Sequence, residues 1–105
     1  MSSSFTQKVE EIIEYHLQDN NFGIQELANA LFISRVQLYR KLMKLEGQSP
    51  TTFIRHYRLK KGLSLLQHTS MPIKEIAYEV GFKDPAHFSN AFKELYHISP
   101  SELRR

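Results

Sequence analysis

The sequence predicts an all-α fold of seven helices, and three observations carry that expectation. Apolar residues recur at the three-to-four spacing of helix faces almost from end to end, with no competing strand alternation. Pro50, Pro85 and Pro100 each stand at the start of such a stretch, where the missing N–H costs nothing. A pattern of apolar and capping residues also occurs twice, about half a chain apart, flanking one long helix.

In chain order, Phe5, Val9, Ile12, Ile13 and Leu17 form the stripe of a first helix. Ser4 and Gln7 have the spacing of a capping box at its start, and Asp19-Asn20-Asn21 with Gly23 ends it. A short second helix carries Ile24, Leu27, Ala28 and Leu31 on one face. Ser34 suits the N-cap of a third, whose stripe is Leu38, Leu42 and Leu45 and which Gly47 closes in the left-handed conformation. Ser49-Pro50 opens a long fourth helix through Phe53, Ile54, Tyr57, Leu59, Leu63 and Leu66 to about Gln67. Gly62 within it is expected to weaken the helix by about 1 kcal/mol of propensity relative to alanine. Met71-Pro72 begins a short fifth helix with Ile73, Ile76, Ala77 and Val80, broken by Gly81. Phe88, Phe92 and Leu95 mark a sixth from near Pro85, and Ser99-Pro100 opens a short seventh.

The repeat is specific in position. Ile24, Glu26, Leu27, Ala28, Leu31 and Ile33 answer Ile73, Glu75, Ile76, Ala77, Val80 and Phe82 at one constant offset. After one inserted residue, Leu38, Leu42, Leu45, Ser49 and Pro50 answer Phe88, Phe92, Leu95, Ser99 and Pro100. The insertion falls in the turn, where a change of length is tolerated best.

Composition bounds the chemistry. The chain has 105 residues, one ordinary domain, with 41% hydrophobic residues to build a helical core. No apolar run approaches the roughly 20 residues that span a bilayer, and Met1-Ser2-Ser3-Ser4 lacks a signal-peptide layout. Without cysteine there is neither a disulfide framework nor a thiolate metal site, which fits a reducing cytoplasm. His16, His56, His68, His87 and His97 form no His-x-x-x-His pair, and the 4 glycines form no phosphate-cradling loop. Neither an enzyme nor a bound metal or cofactor is expected.

Charge is unevenly spread. Residues 1–34 sum to −4, residues 35–61 to +7, and residues 62–105 to zero. The basic block (Arg35, Arg40, Lys41, Lys44, Arg55, Arg58, Lys60 and Lys61 against Glu46) suggests a surface for a polyanion. With Leu38, Leu42 and Leu45 turned inward on a helical wheel, Val36, Arg40 and Met43 point outward, flanked by Tyr39 and Lys44. The same construction on Phe88, Phe92 and Leu95 turns Ala86, Asn90 and Lys93 outward. Arg and Asn match guanine and adenine edges in the major groove, and small apolar residues such as Val36 and Ala86 can meet a thymine methyl. Lys44, Lys93 and the hydroxyls at helix starts, Ser34 and Thr51, suit phosphates. Each repeat therefore reads as a helix-turn-helix, over residues 24–47 and 73–96, joined by a linker helix over 49–67.

These residues resemble the C-terminal DNA-binding domain of the AraC/XylS family of bacterial transcription regulators. The strongest stretch is Ile73-Lys74-Glu75-Ile76-Ala77-Tyr78-Glu79-Val80-Gly81-Phe82, continuing through Phe88, Phe92, Lys93 and Ile98-Ser99-Pro100. Tyr39-Arg40-Lys41-Leu42, Gly47-Gln48-Ser49-Pro50, Phe53-Ile54-Arg55 and Arg58-Leu59 extend the likeness to residues 5–104. The resemblance implies a monomeric domain placing two recognition helices in adjacent major-groove segments of double-stranded DNA, over an asymmetric operator. Base-reading positions carry over onto Arg35, Val36, Tyr39 and Arg40, and onto Ala86, His87 and Asn90. It also implies contact with RNA polymerase, and the likeness of residues 34–42 to output domains fused to two-component sensors implies a larger ligand- or phosphorylation-controlled parent. Three departures stand out. Phe32 replaces the usual turn glycine, so a looser first turn is expected; Val36 is small where some members carry a large aromatic; Gly62 replaces a common alanine.

The rival reading is a helical protein-interaction module, since hairpins with an exposed apolar stripe also bind partner helices. Membrane-surface binding fits poorly, because the basic residues are not gathered on one strongly amphipathic helix.

Overall fold

The protein's structure is a computed structural model that describes residues 3–105. Among these residues it is all-α: α1 Ser4–Tyr15, α2 Ile24–Ala30, α3 Arg35–Glu46, α4 Pro50–His68, α5 Ile73–Glu79, α6 Pro85–Tyr96 and α7 Pro100–Arg104. No helix among them is long and apolar enough to cross a membrane. The chain divides into two compact units: the described residues up to His16 with Asn21–Tyr57, and Leu17–Asn20 with Arg58–Arg105.

The first unit packs Val9 and Ile13 of α1 against Leu27, Ala28, Leu38, Leu42, Phe53 and Ile54, with Phe22 closing the core. The N-cap of α1 is Ser3, not Ser4: its hydroxyl accepts the Thr6 N–H at 3.0 Å. Ser3 also donates to the buried Thr6 hydroxyl, which donates at 2.8 Å to the Glu46 carboxylate in the last turn of α3. That relay across the unit selects the earlier serine as cap. Leu45 departs from its expected inward place. It is 44% exposed, because the last turn of α3 runs past the edge of the core that Leu38 and Leu42 fill.

The second unit is built on Leu59, Leu66, Ile76, Ala77, Val80, Phe88, Ala91 and Phe92. Leu17, expected on the α1 stripe, packs here instead, because α1 ends at Tyr15 and the chain turns away. The cause of that turn is Arg58. Its guanidinium is buried and donates to the carbonyls of Leu17 (3.2 Å), Asp19 (3.1 Å) and Val80 (3.1 Å), satisfying backbone groups in the turn after α1 and at the end of α5. Burial pushes the Arg58 pKa downward, with Asp19 partly opposing that shift. Arg104 does similar work for the end of α4, donating to the carbonyls of Met71, Thr69, Leu66 and Leu65.

The two glycines of the second unit are not interchangeable with alanine. Gly81 sits at φ +89°, and a Cβ there would lie 1.3 Å from Arg58 Nη1 and 2.3 Å from the Leu17 carbonyl oxygen. At Gly62 a Cβ would lie 2.7 Å and 2.8 Å from Cε1 and Cζ of the buried Phe88 ring. The expectation that Gly62 merely weakens α4 is therefore corrected: the missing side chain is the space that Phe88 occupies.

The repeat is structural as well as sequential. Each copy pairs a 7-residue helix with a 12-residue one. The turns close alike, with Ile33 N–H on the Ala28 carbonyl at 3.1 Å and Phe82 N–H on the Ala77 carbonyl at 2.9 Å. Phe32 does not loosen its turn; it adopts φ +58°, the left-handed conformation that Gly81 adopts in the other copy. The longer helices likewise both end left-handed, one on Gly47 and the other on His97.

Candidate nucleic-acid interface

In the first unit, the start of α3 is set by a reciprocal capping box. The Ser34 hydroxyl accepts the Gln37 N–H at 3.1 Å, and the Gln37 side chain accepts the Ser34 N–H at 2.9 Å. This leaves the Ser34 hydroxyl proton and the N–H groups of Arg35 and Val36 directed out of the helix without intrahelical partners. At the start of α4, Ser49 caps the Thr52 N–H, and Thr51 is exposed. With Leu38 and Leu42 fully buried, the opposite face of α3 presents Arg35, Val36, Tyr39, Arg40, Met43 and Lys44 to solvent.

Four of these converge on one groove. Arg35, Val36, Tyr39 and Arg40, with Ile24 at the start of α2 and Pro50 at the start of α4, line a hollow of about 550 Å³. Its lining is mostly apolar, and Arg35 and Arg40 are the two charged residues in it. Lys44 lies one turn further along α3 and does not line it. A second hollow of about 360 Å³, lined by Gln7, Glu10, Glu11, Glu14 and Tyr57, carries the opposite charge. There the Tyr57 hydroxyl donates to Glu14 at 2.6 Å, and burial together with that carboxylate raises the Tyr57 pKa.

In the second unit, Asp84 caps α6 by accepting the His87 N–H at 2.8 Å. Phe88, Ala91 and Phe92 are buried, and Phe88 makes ring contacts with Phe82 and Phe92 at centroid distances of 5.4 Å and 5.7 Å. That bracing fixes the rotation of α6 and leaves Ala86, His87, Asn90 and Lys93 together on its exposed face. The two helix starts differ electrostatically. A neutral serine caps α3, whereas the Asp84 carboxylate offsets the positive end of α6 and makes that end a poorer phosphate site.

All eleven residues that the sequence singled out are exposed: Ser34, Arg35, Val36, Tyr39, Arg40, Lys44, Thr51, Ala86, His87, Asn90 and Lys93. The side chains of Arg35, Arg40 and Asn90 hold no hydrogen bond or ion pair among the described residues. The basic block, by contrast, is not one surface. Arg58 is a buried carbonyl clamp, and Lys41 stands over the Phe5 ring at 5.0 Å. Sequence reasoning also missed Gln37, although the Ser-x-x-Gln spacing of a capping box was readable there.

Comparison with known proteins decides the family. The model of the family described as "Helix-turn-helix domain" matches residues 27–105. The chain is 39% identical over 87 residues to the HTH-type transcriptional regulator MtrA of Neisseria gonorrhoeae, covering 83% of this chain and 29% of that protein. It is similar in structure to the C-terminal domain of the two-component response regulator yesN of Fusobacterium nucleatum, with a TM-score of 0.86 and 30% identity over 98% of this chain and 100% of that one. The chain belongs to the AraC/XylS helix-turn-helix family. This is a family of DNA-binding transcription regulators rather than enzymes. The chain is also 31% identical over 97 residues to the histidine kinase P4 of Formosa agariphila, covering 92% of this chain and 7% of that protein. The chain thus spans about a third or less of the length of the curated relatives it matches.

Proposed function

We propose that this AraC/XylS domain, over residues 5–104, binds double-stranded DNA sequence-specifically by offering α3 and α6 to neighbouring major-groove segments. The observation that supports it most directly is the duplicated pairing of a packed helix with an outward one. Each outward face carries a polar side chain that holds no hydrogen bond or ion pair among the described residues, Arg40 in α3 and Asn90 in α6.

In this reading Arg35, Val36, Tyr39 and Arg40 meet base edges in one segment and Ala86, His87 and Asn90 in the other. Arg40 suits the paired acceptors of guanine and Asn90 the donor–acceptor pair of adenine. Ser34, Lys44, Thr51 and Lys93 hold phosphates and set register. The two faces differ in every base-reading residue, so the operator is asymmetric and one copy of the domain occupies it. The parent protein is a larger ligand- or phosphorylation-controlled regulator, acting in the cytoplasm, whose output domain also touches RNA polymerase. The isolated domain needs no effector, since its exposed recognition faces are complete within the two units.

Binding-site selection on the wild type and on Arg40→Ala, Asn90→Ala and Lys93→Ala tests the roles. Each of the first two should relax preference at one or two base pairs in its own half, a loss of ~1–3 kcal/mol of discrimination. Lys93→Ala should weaken all sequences nearly equally and lower the salt slope by about one unit. Unchanged base preferences in both Arg40→Ala and Asn90→Ala would refute the base-reading assignment. Absence of duplex affinity at any salt would favour a helical protein-interaction module instead.

A further inference from the structure

The two recognition faces differ in chemistry as well as in sequence. On α3 the outward positions Val36, Tyr39 and Met43 are all apolar or aromatic, exposed by 58%, 50% and 40%. The repeat-equivalent positions on α6 are Ala86, Ser89 and Lys93. Exposed apolar surface of this extent on one helix face is unfavourable in water unless a partner covers it. In the first unit Val36 and Tyr39 also belong to the groove of about 550 Å³, whose other walls include Ile24 and Pro50.

Arg35 and Arg40 are the charged residues of that lining, and neither side chain holds a hydrogen bond or ion pair among the described residues. The start of α3 adds the N–H groups of Arg35 and Val36, which have no partner within their helix. A mostly apolar hollow that also carries two arginines fits a polyanion with an apolar group on its readable edge. In duplex DNA the group with that character is the thymine C5-methyl, which lies in the major groove beside base edges that Arg can contact.

We infer that the first unit selects its half of the operator by thymine methyl groups. Val36 and Tyr39 form the methyl-accepting surface, and Arg40 contacts a guanine next to it. The second unit has only the Ala86 methyl at the matching place, so methyl dependence is concentrated in the first half. This inference rests on the DNA-binding reading above. It assigns to that half a thymine-dependent step next to guanine, and to the other half recognition through polar edges.

The test uses a selected duplex site whose halves have been assigned by the Arg40→Ala and Asn90→Ala variants. Each thymine is replaced singly by deoxyuridine, which removes the methyl and leaves every hydrogen-bonding group in place. At one or two first-half positions the affinity should fall about fourfold, the factor that corresponds to one buried carbon group at ~0.8 kcal/mol. Second-half replacements should change affinity less than about twofold. Val36→Ser should bind thymine and deoxyuridine equally at the affected position, and Val36 is exposed enough for the variant to fold. Uniform tolerance of deoxyuridine in the first half, with specific binding intact, would overturn this inference and leave the DNA-binding reading standing. Binding of an apolar peptide in the groove with no selectable duplex would overturn both.

Discussion

Replacing Gly62 by Ala sets two effects of opposite sign against each other. Alanine favours an exposed helix interior over glycine by ~1 kcal/mol, which alone would stabilise α4. The new Cβ, however, would stand 2.7 Å and 2.8 Å from two carbons of the Phe88 ring, well inside the ~3.5–4.0 Å of an ordinary carbon contact. The ring cannot swing aside cheaply, because Phe88 is fully buried and braced by Phe82 and Phe92. Overpacking of a core on this scale costs ~1–3 kcal/mol. The packing effect wins, and the net destabilisation expected is about 1 kcal/mol. For a domain of this size that corresponds to a melting temperature lowered by ~4–8 °C. Circular-dichroism melts of the wild type, Gly62→Ala, Phe88→Leu and the double variant measure it. The alanine should lose its penalty in the Phe88→Leu background, where the ring is gone. A melting temperature raised by several degrees in Gly62→Ala alone would refute the packing account.

The remaining predictions concern single residues. Phe32→Gly should stabilise the first unit by up to ~1 kcal/mol, because the left-handed φ +58° is strained for phenylalanine and its 93% exposed ring gives up no packing; an unchanged or lowered urea midpoint would contradict this. Arg58→Met should destabilise by ~3 kcal/mol or more, since it strands the carbonyls of Leu17, Asp19 and Val80, whereas Arg40→Ala should leave the melting curve nearly unchanged. The folded-state Tyr57 pKa lies above its ordinary value of 10.0, through burial first and then the bond to Glu14. The unfolded chain therefore releases that proton first, so the stability is present below about pH 10 and declines as pH rises beyond it. Tyr57→Phe should show a shallower alkaline decline than the wild type in denaturation midpoints measured from pH 8 upward.

Much of this molecule was legible in its sequence because helix periodicity and capping chemistry are local. Ser34, Ser49, Ser99 and the three helix-opening prolines marked boundaries that the backbone follows, and the buried faces of α3 and α6 followed from Leu38, Leu42, Phe88 and Phe92. What escaped was nonlocal. Arg58 looked like one more basic residue until its 3.1–3.2 Å bonds to three carbonyls showed why α1 stops early and Leu17 changes cores. Gly62 looked like a weak helix former because the ring that fills its vacancy lies 26 positions further on. Leu45 shows the limit of the wheel construction, which assigns a direction but not the point where the core ends.

The central claim, that two recognition helices read adjacent stretches of one duplex, is tested most directly by methylation interference and hydroxyl-radical footprinting on a selected site. Two protected major-groove segments about one helical turn apart, ~34 Å, are predicted, with Arg40→Ala erasing contacts in one and Asn90→Ala in the other. Protection confined to a single major-groove segment, or loss of the same segment in both variants, would contradict it.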